Sequence, residues 1–154
     1  MSPAAQSFSR AGLVLAMVLA LDQFSKRIVI ATVDRGDSNS VFPGIDIVRV
    51  SNKGVAFGAF SGRPIVIVIV IAALAGLIVW FTLHVRRPYI WLPTGLLLGG
   101  ALGNIIDRLR DGAVTDFIKF PLWPAFNFAD VAITVGVLAL IYVLEQRDAA
   151  DDAA

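Results

Sequence analysis

Asp116 in "AVTDFI" and Asp130 in "FNFAD" are two aspartates whose positions permit acid–base chemistry. Asp130 stands just inside an apolar run, where a charged side chain at membrane depth costs about 3 kcal/mol or more. Two carboxylates that face each other across a water cannot comfortably both ionise, because close like charges raise one of the two pKa values. One aspartate then keeps a proton while the other activates the water. Such a pair can hydrolyse an amide without a covalent intermediate.

Other catalytic chemistries are restricted by composition. The chain has no cysteine, which removes disulfides, thiolate metal ligands and a cysteine nucleophile. The single histidine, His84, lies in the basic connection "HVRRPY", and a zinc site needs several His or Cys ligands. Each aspartate also has a simpler interpretation. Asp116 can be a solvated loop residue, and Asp130 can stabilise the N-terminus of a helix through the helix dipole.

Hydrophobic residues make up 57% of the 154 residues and charged residues 16%, against roughly 45–50% apolar in soluble domains. The net charge of +1 and the scattered basic residues indicate no nucleic-acid partner. We therefore predict an all-α integral membrane protein of one domain, 1–154, with a four-transmembrane-helix bundle. The predicted spans, each close to the roughly 20 residues that cross a bilayer, are 11–30, 64–83, 89–106 and 125–144.

The first span has an alternative interpretation as a signal-peptide core. No A-x-A cleavage site follows it, so we expect a retained helix. Between the first and second spans, residues 34–60 alternate in polarity and are interrupted by "SNKG", which predicts a small extramembrane β-hairpin. The connection between the third and fourth helices is long enough for structure of its own. We expect a disordered tail at about 146–154, because it is polar and rich in charge.

The polar residues of the helices gather at one end if the chain crosses the membrane four times. Asp22 and Lys26 are spaced i, i+4, which favours an ion pair on one helix face. The end of the third helix carries Asn104, Asp107 and Arg108, and the fourth begins with Asn127 and Asp130. Asp107 beside Arg108 suggests an interfacial ion pair. A polar site at one membrane face is therefore expected.

Three glycines of the third helix, Gly95, Gly99 and Gly103, repeat at four-residue spacing. Small residues at this spacing let a neighbouring helix approach closely in a membrane. We therefore expect the third helix to be packed against its neighbours.

Taken together, four motifs resemble the lipoprotein signal peptidase family, also called signal peptidase II, of bacterial membrane aspartyl proteases. They are "LDQFSK" (21–26), "NKGVAFG" (52–58), "GGALGNIIDRLRDGAVTDFI" (99–118) and "FNFAD" (126–130). The motifs occur in the order of the family and run through most of the chain. Their combination is specific, although each alone is weak.

The resemblance implies cleavage of prolipoprotein signal peptides just before a diacylglyceryl-modified cysteine, with Asp116 and Asp130 as the catalytic pair. It implies a substrate-binding or dyad-supporting role for four residues, Asn52, Asn104, Arg108 and Asn127. Structural support is expected from Asp22, Lys26, Gly54 and Asp107. The resemblance implies no cofactor or metal, and sensitivity to the cyclic peptide globomycin. The β region would cradle the substrate, and the loop after the third helix would close over it.

The same resemblance implies a multi-pass protein of the bacterial cytoplasmic membrane, with both termini in the cytoplasm and the active site at the outer face. Its partners would be prolipoproteins and membrane lipid, and a monomer suffices for the chemistry. Charge distribution argues for the opposite orientation, because most of the 13 Lys and Arg residues fall on the side of the polar site. A small proton-coupled carrier or channel is the alternative function, and a non-enzymatic scaffold is a second one.

Overall fold

The computed structural model describes the backbone of residues 1–54 and 65–151 and the side chains of residues 1–54 and 67–146. Helices dominate, as predicted, and a small antiparallel sheet accompanies them. In chain order the elements are α1 (Pro3–Thr32), β1 (Ser38–Phe42), β2 (Ile45–Asn52), α2 (Ile65–His84), α3 (Trp91–Asp111), β3 (Val114–Lys119) and α4 (Phe128–Asp151).

The helix ends follow from local chemistry. The Ser2 hydroxyl accepts a hydrogen bond from the Ala5 backbone N–H at 3.2 Å, so α1 begins earlier than the predicted span. Gly112 ends α3 in the left-handed conformation with φ 71°, and its N–H bonds the carbonyl of Arg108. Helix α4 continues to Asp151, whereas the sequence predicted a disordered tail from about 146. Glutamine, arginine and alanine, which favour helix, make up most of residues 146–150.

Two stretches of the described helices are long and apolar enough to cross a membrane, Ile67–His84 and Phe128–Gln146. Helices α1 and α3 are long as well, but charged residues such as Lys26 and Asp107 interrupt their apolar runs. Because those residues are buried in the protein, they do not exclude a membrane location. The four-span arrangement therefore stays a prediction.

Helix α3 lies between α1 and α4, and glycines make the close approach possible. A Cβ atom added to Gly95 would lie 2.7 Å from the Ala11 carbonyl oxygen, and one on Gly99 would lie 2.8 Å from the Cβ of Val18. On the other side, a Cβ on Gly100 would lie 2.5 Å from the Ala129 carbonyl oxygen. The predicted close packing of the third helix is confirmed.

The sheet has the order β1-β2-β3, and both pairings are antiparallel. The hairpin turn lies at residues 43–44, where Gly44 has φ 81°, and β2 runs on through Asn52. A Pro-Gly pair is a strong turn former, which accounts for this turn. A second turn at "SNKG", where β2 ends, stays a prediction, because the residues that follow are not described. The remainder of the predicted β region, residues 55–60, lies outside the described residues.

The third strand comes from the connection between α3 and α4. In its pairing with β2, Val50 is opposite Asp116 and Asn52 is opposite Val114. Phe117 on β3 packs with Val29 and Val33 beneath the sheet. The sheet is therefore anchored on α1, and β3 has a fixed position next to the bundle.

Candidate active site

Asp130 and Asn127 form a reciprocal cap at the start of α4. The Asn127 side-chain oxygen accepts a hydrogen bond from the Asp130 N–H at 3.0 Å, and Asp130 Oδ2 accepts one from the Asn127 N–H at 3.2 Å. Each side chain thereby satisfies a backbone donor that a helix N-terminus leaves free. The cap fixes the Asp130 carboxylate at the rim of α4 and explains why the helix begins at Phe128, later than predicted.

Asp116 lies on β3 and is 3% exposed. Two amide groups donate to its carboxylate: Asn52 Nδ2 to Oδ2 at 2.9 Å, and Asn127 Nδ2 to Oδ1 at 2.7 Å. The first donor comes from the neighbouring strand and the second from the cap of α4. Strand pairing and helix capping together bring Asp116 to the start of α4.

Asn104 on α3 connects Asp130 to Asn127 and to Lys26 on α1. Its amide nitrogen donates to Asp130 Oδ1 at 2.9 Å, and its amide oxygen accepts from Asn127 Nδ2 at 3.2 Å and from Lys26 Nζ at 3.1 Å. Two donors on the oxygen leave one orientation for the amide, with its nitrogen towards Asp130. Asn104 and Asn127 therefore hold the two aspartates in one hydrogen-bonded network.

The pKa of Asp116 is raised from its ordinary 3.8 to about 6. Burial is the main cause, and the nearby Asp130 charge acts in the same direction. The hydrogen bonds from Asn52 and Asn127 and the Lys26 charge act in the opposite direction. With a pKa of about 6, Asp116 retains a proton to a higher pH than an ordinary aspartate does, which suits a general acid.

The two aspartates open into a cavity of about 420 Å³. Asn52, Asn104 and Arg108 contribute polar groups to its lining. The rest of the lining is largely apolar and comes from α2, α4 and the loop after β3, with Val70, Ile133, Trp123, Pro124, Ala125 and Phe126 among its members. The combination of paired carboxylates and an apolar wall suits a substrate with an apolar portion.

Arg108 and Gly54 both line the cavity and are in contact with each other. The Arg108 guanidinium donates to the Gly54 carbonyl at 3.0 Å and to the Asn104 carbonyl at 3.2 Å. The Gly54 N–H donates to Asn52 Oδ1 at 3.0 Å, which orients the Asn52 amide nitrogen towards Asp116. Arg108 thus ties α3 to the end of β2.

A buried ionic cluster lies beneath the site. Lys26 Nζ is 2.8 Å from Asp22 Oδ2 and 2.8 Å from Asp107 Oδ2, and all three side chains are at most 1% exposed. Gln23 donates to Asp107 at 2.9 Å, and Asp22 Oδ1 accepts from the Ala129 N–H at 3.0 Å. The predicted Asp22–Lys26 pair is confirmed.

The predicted pair of Asp107 with Arg108 is wrong. Asp107 faces Lys26 on α1, because the α-helical rotation points adjacent side chains in different directions, and Arg108 turns towards Gly54.

Sequence reasoning missed Gln23 and the cavity-lining residues Trp123, Phe126 and Ile133. The sequence signal that could have identified Gln23 is its position inside the motif "LDQFSK". The lining residues are ordinary apolar residues, and only tertiary packing assigns them to the cavity.

Metal chemistry finds no support in the described residues, where no three His, Cys, Asp or Glu side chains gather in a possible metal site. His84 lies at the far end of α2, stacked on Trp80 with a centroid distance of 4.8 Å.

A family model described as "Signal peptidase (SPase) II" matches residues 14–145, which is most of the chain. This chain belongs to the signal peptidase II family. The family is one of peptidases, so the aspartate pair lies in a protease. Membership and the two apolar helices together identify a bacterial membrane protein.

The relatives support this membership over nearly their full length. A lipoprotein signal peptidase of Halothermothrix orenii is 35% identical over 142 residues, covering 91% of this chain and 98% of that protein. One of Moorella thermoacetica is 40% identical over 135 residues, covering 86% and 90%. One of Nitrobacter hamburgensis is 40% identical over 148 residues, covering 86% and 90%.

The fold is shared with a solved structure of a bacterial membrane enzyme, obtained by the in meso method at 2.3 Å resolution. The TM-score is 0.83 at 34% identity, with 88% of this chain and 87% of that chain covered.

Proposed function

We propose that this protein is an aspartic endopeptidase that removes signal peptides from prolipoproteins by cleaving just before a diacylglyceryl-modified cysteine. The observation that carries the proposal is the hydrogen-bonded network in which Asn127 contacts both Asp116 and Asp130, the two aspartates that line a largely apolar cavity. The apolar lining would accept the lipid-bearing side of the scissile bond, and the carboxylates would act on the amide.

In the proposed mechanism, Asp130 takes a proton from a water while the water oxygen bonds to the scissile carbonyl carbon. Asp116 donates its proton to the carbonyl oxygen, which gives a neutral diol. The proton on Asp130 then passes to the amine nitrogen as the C–N bond breaks, and the diol returns a proton to Asp116. A bound lipidated segment would exclude water from the cavity and further favour the protonated form of Asp116.

The remaining side chains have supporting roles in this proposal. Asn104 and the Asn127 N–H donate to the Asp130 carboxylate and fix its orientation, and Asn52 orients Asp116. Arg108 holds the end of β2 next to the site through Gly54. Structural support comes from Asp22, Lys26, Gly54 and Asp107. We further propose four membrane spans in the cytoplasmic membrane, both termini in the cytoplasm, an active site at the outer face, and action as a monomer without a cofactor.

Replacement of either aspartate tests the dyad. We expect Asp116→Asn and Asp130→Asn each to abolish cleavage of a purified lipidated prolipoprotein, read as the cleaved fraction on a gel. Asp37→Asn, at an exposed position, is the matched control and should cleave normally. Globomycin should block the unaltered protein. Near-normal cleavage by either site variant would refute the dyad, provided that both variants insert and fold.

A further inference from the structure

A second cavity, of about 720 Å³, lies at the end of the bundle opposite the candidate active site. It is formed by the connection between α2 and α3, the first turn of α3 and the last turns of α4. The residues that matter for its chemistry are Arg87, Tyr89, Leu92, Ala139, Tyr142 and Gln146. None of them contributes to the dyad network, so this cavity has no assigned role in the peptidase reaction.

The ends of the two apolar stretches place this cavity at the membrane surface. Ile67–His84 ends three residues before Arg87, and Phe128–Gln146 ends on a residue that lines the cavity. Tyr89 and Tyr142 are 69% and 63% exposed, which is typical of the aromatic residues found where hydrocarbon meets lipid headgroups. On the proposed membrane topology, the cavity lies at the level of the phosphates of one leaflet.

Arg87 brings a positive charge to this cavity. Its guanidinium lies over the Trp80 ring, 5.7 Å from the ring centroid, and its Nε atom is buried without a hydrogen-bond acceptor in the described part of the chain. No carboxylate among the described side chains forms an ion pair with it. A guanidinium stays charged at every physiological pH, and a partly buried charge without a partner is costly. The site therefore favours an anion.

We propose that this cavity binds an anionic phospholipid, with the lipid phosphate on the Arg87 guanidinium. One acyl chain would lie along Leu92, Ala139 and Val143, which also lines the cavity. Charge complementarity accounts for the headgroup, since a guanidinium matches phosphate geometry with paired hydrogen bonds. The apolar lining between α3 and α4 accounts for the chain, because a soluble phosphate would leave that groove unfilled. The proposal depends on membrane insertion and not on the peptidase activity.

The test measures lipid binding to the whole purified protein in mild detergent by native mass spectrometry. Phosphatidylglycerol and phosphatidylcholine with identical acyl chains are titrated separately, and the fraction of lipid-bound protein is counted. We expect phosphatidylglycerol to bind about fivefold more tightly, the effect of one basic residue near an anionic headgroup. Arg87→Gln should abolish this preference. Arg86→Gln removes the same charge one position earlier, on an exposed side chain outside the cavity lining, and should keep the preference.

Two further measurements test whether the acyl chain occupies the groove and whether the bound phosphate belongs to a lipid. Ala139→Trp fills the groove without changing charge and should weaken binding of both lipids, whereas Leu138→Trp, at a 62% exposed position, should not. Inorganic phosphate in excess should leave phosphatidylglycerol bound. Equal affinity for both lipids, an unchanged preference in Arg87→Gln, equal loss in Arg86→Gln, or displacement by inorganic phosphate would each overturn the proposal. If Arg87→Gln does not fold, Ala139→Trp decides, and unchanged lipid binding by that variant overturns it.

Discussion

At the residue scale, the candidate site is organised by amides. Asn52, Asn104 and Asn127 donate to the two aspartates, and no cation forms an ion pair with either carboxylate among the described residues. Amide donors orient a carboxylate without neutralising it, so Asp116 keeps the raised pKa that burial causes. A direct ion pair would lower that pKa and remove the proton that the proposed mechanism needs.

The pKa of Asp116 predicts how stability depends on pH. The carboxyl binds its proton more tightly in the folded protein, about 6, than in the unfolded chain, 3.8. Its contribution to the free energy of unfolding is therefore complete below about pH 4 and falls by about 3 kcal/mol as the pH rises through 6. We expect this loss to disappear in Asp116→Asn. Thermal unfolding in detergent between pH 4 and 7 measures it, and Asp37→Asn should behave as the unaltered protein. An identical pH dependence in Asp116→Asn would contradict the assignment.

Lys26 compensates two buried carboxylates and also fixes the Asn104 amide. Lys26→Met leaves Asp22 and Asp107 without their cation, and we expect a loss of about 3–5 kcal/mol in the free energy of unfolding. Arg27→Met, at the adjacent exposed position, is the matched control and should cost much less. Denaturation midpoints of the two variants provide the comparison. Similar midpoints would show that the ionic cluster does not hold α1 to α3.

At the element scale, α3 is the helix on which the site depends. It contacts α1 through glycines on one face and α4 through glycines on the other, and it presents Asn104 and Arg108 to the cavity. Asp22 and Ala129 meet next to Gly103, where a Cβ would lie 2.5 Å from Asp22 Oδ2. Close helix packing therefore brings the polar groups of three helices into contact.

The same substitution at two glycines should have opposite effects. Gly99→Ala places a Cβ 2.8 Å from the Cβ of Val18, and we expect it to destabilise the protein by about 1–3 kcal/mol through overpacking. Gly76→Ala on α2 meets nothing within 4 Å, so it should be neutral or slightly stabilising because alanine favours helix. Thermal unfolding distinguishes the two. Equal effects at both positions would argue against a tight α1–α3 contact.

At the scale of the whole molecule, the bundle has two chemically different ends. The dyad, the sheet and the ionic cluster lie at the end where α3 finishes and α4 starts. The other end holds the end of α4 and the start of α1, where Phe8 packs edge-to-face with Phe81 at a centroid distance of 5.1 Å. This separation fits a surface-located hydrolase better than a carrier, whose polar residues lie near the midplane.

The proposed orientation makes a prediction about the termini. Because α1 begins and α4 ends at one end of the bundle, both termini should lie on the same side of the membrane, which we propose is the cytoplasmic side. A protease added outside intact spheroplasts should leave tags at either terminus uncut and should cut them after lysis. Cleavage of the C-terminal tag from outside would place the dyad in the cytoplasm, as the distribution of basic residues suggests.

The sequence by itself determined the features that depend on local spacing. Apolar length predicted the helices, the i, i+4 relation predicted the Asp22–Lys26 pair, and the glycine repeat predicted close packing of α3. Ordered motifs pointed to Asp116 and Asp130 through the family resemblance. The helices, the ion pair and the glycine repeat are relations within one helix, where distance along the chain sets distance in space.

Tertiary structure decided the relations between segments that are far apart in the chain. The turn at Gly44 and the pairing of β2 with β3 set Val50 opposite Asp116, and helix packing turned Asp107 to Lys26. Asn127 became both a helix cap and a partner of Asp116 because β3 and α4 meet there. Strand register and the facing of two helices depend on the whole set of contacts, and sequence periodicity carries no information about which surfaces meet.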